Sequence, residues 1–237
     1  MASRQEEKER RRQERLAREE EARRAAARRK RLQYVFGALL GVAVVAGIVV
    51  VVAVGLGGDD GGGPGKPTDA SNAASDVKLP EQKTGDLKAA AKAAGCKLAN
   101  PPIEGSTHET KDFKPSDYKT NPPTSGNHNP DYYQDGIYNP GDTPRLGMLV
   151  HPLEHGRIEV QYKPGTPKST VDQLEALLGE SDGYHMLLFQ NTTGMQAQVA
   201  ATAWGHSLTC PQMNDNVFDA IRTFRTSYID KGPESVP

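Results

Sequence analysis

One uninterrupted apolar run divides this protein into parts that cannot belong to a single globule. Residues 35–56 contain no charged side chain and consist mostly of Val, Ala, Gly, Leu and Ile. As a helix they would extend about 33 Å at 1.5 Å per residue, which is enough to cross a hydrocarbon core of about 30 Å. A cleaved signal peptide is the competing interpretation, but its apolar region usually has only about 7–15 residues. We therefore predict an uncleaved transmembrane helix over residues 34–56, with membrane lipid as its partner.

The charges on either side of this run predict its orientation. Residues 1–31 carry 13 Lys or Arg and 7 Asp or Glu, although the formal charge of all 237 residues together is only −1. On the other side, Asp59 and Asp60 follow the run closely. The positive-inside rule then places the N-terminus in the cytoplasm and the C-terminal part outside. We expect a single-pass protein of the cell membrane.

The segments that flank the run are expected to differ in structure. Residues 1–33 contain no Gly or Pro and several Glu–Arg pairs four residues apart, which favours a solvated, charged cytoplasmic helix. Nucleic acid is not an expected partner, because acidic side chains dilute the basic charge and no aromatic residues lie among the basic ones. Residues 57–83, rich in Gly, Asp, Ser and Asn, are expected to form a flexible linker.

Residues 84–237 are expected to form one extracytoplasmic domain of the α+β class. Capping residues and apolar periodicity predict helices at residues 86–94, 167–178 and 215–229. Alternating patterns predict strands at residues 146–150, 157–162, 184–190 and 196–204. This order favours a mainly antiparallel sheet with two to three helices. Residues 100–145 show no sustained period and are predicted to be a long irregular loop region, packed by its tyrosines.

The cysteines predict a cross-link. Cys96 and Cys210 are the only two in the sequence, which excludes a four-cysteine zinc site. In an oxidising compartment such a pair is expected to form a disulfide. Ligation of copper or zinc by the two thiolates is the alternative.

Three of the six histidines lie in two strings that are rich in turn-forming residues. The first is P-P-T-S-G-N-H at residues 122–128, and the second is H-P-L-E-H-G at residues 151–156. Imidazoles held on tight turns favour a binding site over a core, and imidazole suits zinc and copper, whereas thioether favours Cu(I). The predicted copper or zinc ligands are His128, His151, His155, Glu154 and Met148. His185 and His206 are secondary candidates. The alternative is that these histidines are structural and bond only the backbone.

Residues 151–155 also match H-x-x-E-H, a zinc-protease signature. That chemistry needs both histidines on one helical turn, whereas a strand would hold them about 13 Å apart. No nucleophile–base pair, phosphate-binding glycine loop or nucleotide fingerprint accompanies the string, so an enzyme is not favoured. The leading hypothesis is a domain that binds a metal or a small polar ligand. The alternatives are a structural envelope protein with a protein partner, and a metal-dependent hydrolase with Glu154 as base.

The two histidine strings, together with G-Y-H at residues 183–185 and A-W-G at residues 203–205, resemble the bacterial domain-of-unknown-function family 3105. The resemblance covers roughly residues 96–228. It implies a membrane-anchored, exported bacterial protein, and it implies no activity, cofactor or substrate.

Overall fold

The computed structural model describes residues 66–70 and 77–234. The helices predicted at residues 1–33 and 34–56 lie outside this part of the protein. Among the described residues, no helix has both the length and the apolar character that crossing a membrane requires. All the described residues follow the apolar run in the sequence.

A mixed six-stranded sheet forms the centre of the described domain. Its strands are β1 (Lys97–Ala99), β2 (Gly136–Ile137), β3 (Ile158–Tyr162), β4 (Met186–Gln190), β5 (Val199–Ala203) and β6 (His206–Cys210). Their spatial order is β1-β6-β5-β3-β4-β2. The pairings β1–β6, β6–β5 and β5–β3 are antiparallel, whereas β3–β4 and β4–β2 are parallel.

The α+β class is therefore confirmed, but the prediction of a mainly antiparallel sheet is wrong. The reason lies between β3 and β4, where the helix Lys168–Gly179 returns the backbone across the sheet. Such a crossover allows two successive strands to run in the same direction. The helix itself is visible in the sequence, but the direction of the returning strand is not.

The described residues contain four α-helices and one short 3-10 helix, Pro115–Asp117. The α-helices are α1 (Leu87–Ala94), α2 (Gly147–Glu154), α3 (Lys168–Gly179) and α4 (Asp215–Tyr228). Three of them agree with the predicted helices to within one residue at each end. Helix α2 was not predicted, and the strand predicted at residues 146–150 is wrong because most of these residues belong to this helix. All eight residues of α2 are buried, so no polar face reveals its helical period.

The sheet has a separate core on each face. Because alternate residues of a strand point to opposite faces, Leu188 of β4 packs with helices α1, α3 and α4, whereas Leu187 and Phe189 pack with Met148 of α2. The irregular region over residues 100–145 adds the buried aromatic side chains of Phe113, Tyr118, Tyr133 and Tyr138 to the clusters on the α2 side. The sheet thus supports an irregular, loop-rich layer, and this layer holds the histidine strings.

Part of the predicted linker packs against the domain. The backbone N–H of Thr68 donates to the Ile137 carbonyl at 2.8 Å, and the Ile137 N–H donates back at 2.9 Å. Ala70 is buried against Gly183, where a Cβ atom would lie 2.5 Å from the Ala70 methyl group. This pairing covers the outer side of β2, which would otherwise be an open sheet edge.

Cys96 and Cys210 form the predicted disulfide, and no free cysteine remains. Cys96 follows α1 and Cys210 ends β6, so the bond joins residues 114 positions apart in the sequence. It closes most of the domain into a single covalent loop. In the chain-entropy account, a loop of this size restricts the unfolded state strongly.

We expect the double substitution Cys96→Ser and Cys210→Ser to lower the free energy of unfolding by about 2–5 kcal/mol, because it releases this loop in the unfolded state. Guanidinium denaturation followed by circular dichroism measures the change. Reducing the wild-type disulfide should give the same loss. Equal denaturation midpoints for the oxidised protein and the double variant would contradict the expectation.

Candidate metal centre

Helix α2 brings the second histidine string into a compact arrangement. His151 and Glu154 lie within the helix, and His155 is its C-terminal cap. Residues three and four apart lie on the same helical face, and Nε2 of His151 is 3.0 Å from Nε2 of His155. The wide separation that an extended strand would impose on the two histidines therefore does not occur. Gly156 turns the backbone away immediately afterwards with a φ of +79°.

The first histidine string is held against α2 by Asn129. Its backbone N–H donates to the Gly147 carbonyl at 3.3 Å, and its side-chain amide donates to the carbonyls of Glu109 and Lys111. A Cβ atom at Gly147 would lie only 2.5 Å from the Asn129 side-chain oxygen. The absence of a side chain at Gly147 thus permits the close contact that places His128 next to α2.

His108 joins the same cluster, although it was not among the predicted ligands. An isolated parallel β-bridge between His108 and His128 sets the position of His108. In it, the Glu109 N–H donates to the His128 carbonyl, and the His128 N–H donates to the Thr107 carbonyl. The imidazole centroids of His108 and His128 are 4.8 Å apart. His108 lies in an ordinary polar loop with no motif around it, so the sequence offers only its residue type as a signal.

Four residues form what we call the inner site: His108, His128, His151 and Glu154. Oε2 of Glu154 is 3.1 Å from Nε2 of His128 and 3.6 Å from Nε2 of His108. One ligand atom from each residue lies within 4.8 Å of all the others. Two ligands on one tetrahedral zinc ion, at bonds of about 2.0–2.1 Å, are roughly 3.4 Å apart. The inner site therefore fits a single ion after small side-chain adjustments.

A second group, which we call the outer site, consists of His151, His155 and Glu234. Oε2 of Glu234 is 3.4 Å from Nε2 of His155. The C-terminal segment is fixed here by its backbone, since the Glu234 N–H donates to the Glu154 carbonyl at 3.1 Å. Sequence reasoning missed Glu234 because it is 79 positions from His155 and belongs to no local motif.

Backbone carbonyls set the tautomers of two imidazoles. Nδ1 of His128 is 2.8 Å from the Gly126 carbonyl oxygen, and Nδ1 of His151 is 2.8 Å from that of Asn129. A carbonyl oxygen can only accept, so each Nδ1 carries the proton and each Nε2 presents a lone pair. This is the orientation in which metal-binding histidines are usually held.

The lone pairs in the inner site face one another without a donor. Nε2 of His128 and Oε2 of Glu154 are both buried and have no hydrogen-bond partner among the described residues, although they are only 3.1 Å apart. Two acceptors at this distance repel unless a proton or a cation lies between them. The geometry is therefore that of a cation site or of a shared proton.

Burial favours the uncharged forms of these groups. It lowers the pKa values of His128 and His151, and it raises the pKa of Glu154. For His155, burial together with the neighbouring His151 and Arg157 lowers the pKa to about 4. Neutral imidazoles are the form that binds metal, so the histidines need not lose a proton at neutral pH.

The other predicted ligands lie elsewhere. Met148 is buried in the apolar cluster with Leu187 and Phe189, which makes its thioether part of the core. The secondary candidates each contact a different partner. His185 bonds Asp230 through Nδ1 at 2.6 Å. His206 bonds Asn100 at 2.7 Å and stacks on Tyr228. The cysteines are joined to each other, so the alternative of Cys ligation is wrong.

A family model described as "Protein of unknown function (DUF3105)" matches residues 109–236. The protein belongs to the DUF3105 family. No curated protein and no solved structure matches it. The DUF3105 match confirms the resemblance seen in the sequence. It includes every residue of the inner and outer sites except His108, which lies one residue before the matched range.

The histidines predict how stability depends on pH when no metal is bound. An unfolded histidine takes up a proton near pH 6.5, whereas His155 in the fold does so only at about pH 4. The free energy of unfolding should therefore fall as pH decreases from 6.5 to 4. His155→Gln should make this slope shallower by at most about 1.4 kcal/mol per pH unit. Urea denaturation in the presence of a chelator measures both slopes.

Glu154 contributes with the opposite sign, because its raised pKa lets the fold retain a proton that the unfolded state has released. The contribution of Glu154 to the free energy of unfolding is largest below the pKa that it has in the unfolded state, and it is lost as pH rises through the pKa that it has in the fold. A matched Glu154→Gln variant should therefore show a steeper gain in stability with rising pH above about 4.5 than the wild type. Identical slopes for wild type and His155→Gln would contradict the burial argument.

Proposed function

We propose that the domain binds one divalent transition-metal ion, with zinc as the first candidate and Cu²⁺ as the second, through His108, His128, His151 and Glu154. The observation that carries this proposal is the pair of buried acceptors, Nε2 of His128 and Oε2 of Glu154, 3.1 Å apart without a donor. A cation would satisfy both lone pairs and those of the adjacent imidazoles at once.

The ligand types favour a divalent ion over Cu(I). Soft thioether or thiolate ligands select Cu(I), but Met148 packs in the core and the cysteines form a disulfide. Three imidazoles and one carboxylate are typical of zinc and also suit Cu²⁺. The carboxylate offsets part of the charge of the ion within a buried environment.

A purely structural role for His128 and His151 accounts only for the Nδ1 atom of each ring. Hydrogen bonds from Nδ1 to the Gly126 and Asn129 carbonyls would fix the loops without any metal. They do not explain why Nε2 of His128 faces the Glu154 carboxylate at 3.1 Å inside the protein. Burying unpaired polar atoms costs free energy, so a purely structural role requires a proton shared between Glu154 and His128, whereas a cation would satisfy these two atoms and the neighbouring imidazoles together.

Metal-dependent hydrolysis is a second candidate, because α2 places the H-x-x-E-H string on adjacent helical turns. In that mechanism both histidines of the string bind the ion and the glutamate acts as base. Here Glu154 points between His108 and His128, at distances that suit a ligand. The arrangement thus supports metal binding more directly than hydrolysis.

We further infer that the domain is displayed outside the cytoplasm by a transmembrane helix at residues 34–56. The length of the apolar run and the basic residues before it support this topology. The disulfide supports it as well, because such bonds persist in oxidising compartments. An envelope protein partner is compatible with this placement.

Protease treatment of whole cells tests the topology. An antibody tag placed after residue 237 should be removed from intact cells that have a permeable outer layer, because the domain lies outside the membrane. A tag at residue 1 should be removed only after the cells are ruptured. The reverse pattern would place the domain in the cytoplasm.

Substitution of the inner-site ligands tests metal binding. For the full-length protein in a mild detergent, we expect His128→Ala and Glu154→Gln each to weaken zinc binding by more than about 100-fold, since each removes a ligand from a buried set. Isothermal titration calorimetry measures the affinity, and the visible spectrum of bound Co²⁺ reports tetrahedral coordination.

The matched control is His206→Ala, which removes an imidazole bonded to Asn100 rather than one in either site. Its affinity should equal that of the wild type. Wild-type binding no tighter than that of the His128→Ala variant, for both zinc and Cu²⁺, would contradict the proposal. Loss of binding only with Cu²⁺ would identify copper as the ion.

A further inference from the structure

The two candidate sites share a single nitrogen. His151 belongs to both the inner and the outer site, but its Nδ1 donates to the Asn129 carbonyl. Only the lone pair of Nε2 remains for a metal, and one lone pair binds one ion. The complete sets therefore cannot both be occupied, and His151 must serve one site or the other.

Each site has one solvent-exposed member. In the inner site the side chains of His128 and Glu154 are 0% and 5% exposed, and the exposed member is His108, at 40%. In the outer site, the Glu234 side chain is 46% exposed while His155 beside it is buried. The outer site thus leads from a solvent-exposed carboxylate to the imidazole that it shares with the inner site.

The two sites differ in how well hydrogen bonds preorganise their imidazole ligands. His128 and His151 each have a carbonyl partner for Nδ1, which orients the ring and raises the basicity of Nε2. Nδ1 of His155 is buried without a partner among the described residues. An ion on Nε2 of His155 would leave an unpaired N–H, so the outer site should bind more weakly than the inner site.

Glu234 belongs to a segment whose backbone is bonded to the end of α2. Its backbone N–H bonds the Glu154 carbonyl, and the Asp230 N–H bonds the Gly156 carbonyl at 2.9 Å. A Cβ atom at Gly232 would collide with the Glu154 carbonyl oxygen, so the segment lies directly against the end of α2. Asp230 also pairs with His185 at 2.6 Å. These contacts fix the backbone of residues 230–234 against the end of α2, which brings the Glu234 carboxylate within 3.4 Å of Nε2 of His155.

We propose that His151, His155 and Glu234 form a second, weaker position for the same divalent ion, and that the ion reaches and leaves the inner site through it. This inference rests on the proposed function. During transfer, His151 remains bound while His155 and Glu234 are exchanged for His108, His128 and Glu154. The domain then binds one equivalent of metal, and Glu234 governs the rate of exchange.

Trp204, the only tryptophan of the protein, provides a probe. Its ring centroid is 6.1 Å from that of His128, so Cu²⁺ in the inner site should quench its fluorescence. Stopped-flow mixing of the full-length protein, in a mild detergent, with Cu²⁺ measures uptake. Mixing of the loaded protein with a chelator measures release.

We expect Glu234→Gln to slow both uptake and release by roughly tenfold or more, because it removes the charged ligand that first meets the ion. The dissociation constant should change by less than about twofold, since a path between two states does not alter their difference in free energy. Glu81→Gln is the charge-matched control. Glu81 is exposed, and the backbone N–H of nearby Lys83 donates to Asp219 of α4, which packs on the sheet face opposite α2. This control substitution should leave both rates unchanged.

Three other results would overturn the inference. Wild-type rates in Glu234→Gln would show that the ion passes by another way, such as the 40% exposed side chain of His108. Loss of affinity as large as that of His128→Ala would make Glu234 a permanent ligand. Two equivalents bound by the wild type would make the positions independent. Failure of the wild type to bind zinc or Cu²⁺ would instead reject the proposed function itself.

Discussion

The arrangement of the histidines depends on two hydrogen bonds, from Nδ1 of His128 and His151 to the carbonyls of Gly126 and Asn129. Each bond fixes a ring and its tautomer, so that Nε2 of His128 faces Glu154 and Nε2 of His151 faces His155. Because the acceptors are backbone atoms, the orientation follows from the path of the backbone and not from a replaceable side chain. The loop that contains residues 126–129 must therefore be held rigidly for the site to exist.

This requirement gives the irregular layer a physical role. The turns around Gly126 and Asn129 direct one carbonyl at the His128 ring in the same loop and another at the His151 ring of α2, an arrangement that the repeating geometry of a strand would not give. Asn129 contributes twice, since its side chain also holds residues 109 and 111. The cores on the two sheet faces supply the rigid support beneath, and Leu187 and Phe189 pack directly against α2.

The sequence predicted the helices with polar faces and the residues whose types report their chemistry. It placed α1, α3 and α4 to within a residue, and it identified His128, His151, Glu154 and His155 as candidates. It failed for α2, because a wholly buried helix has no polar face and its alternating apolar residues fit a strand equally well. It also failed for His108 and Glu234, since long-range backbone contacts alone bring these residues to the centre.

The position of Glu234 far after the histidines in the sequence has a consequence for biosynthesis. Residues 108 to 155 emerge from the ribosome well before residue 234, and Cys210 also emerges late. Until the C-terminal segment has been made and has settled against α2, His155 has no carboxylate beside it. A nascent polypeptide thus presents these imidazoles without this acidic residue, and the loading route that we propose through Glu234 would open only after residue 234 has been made.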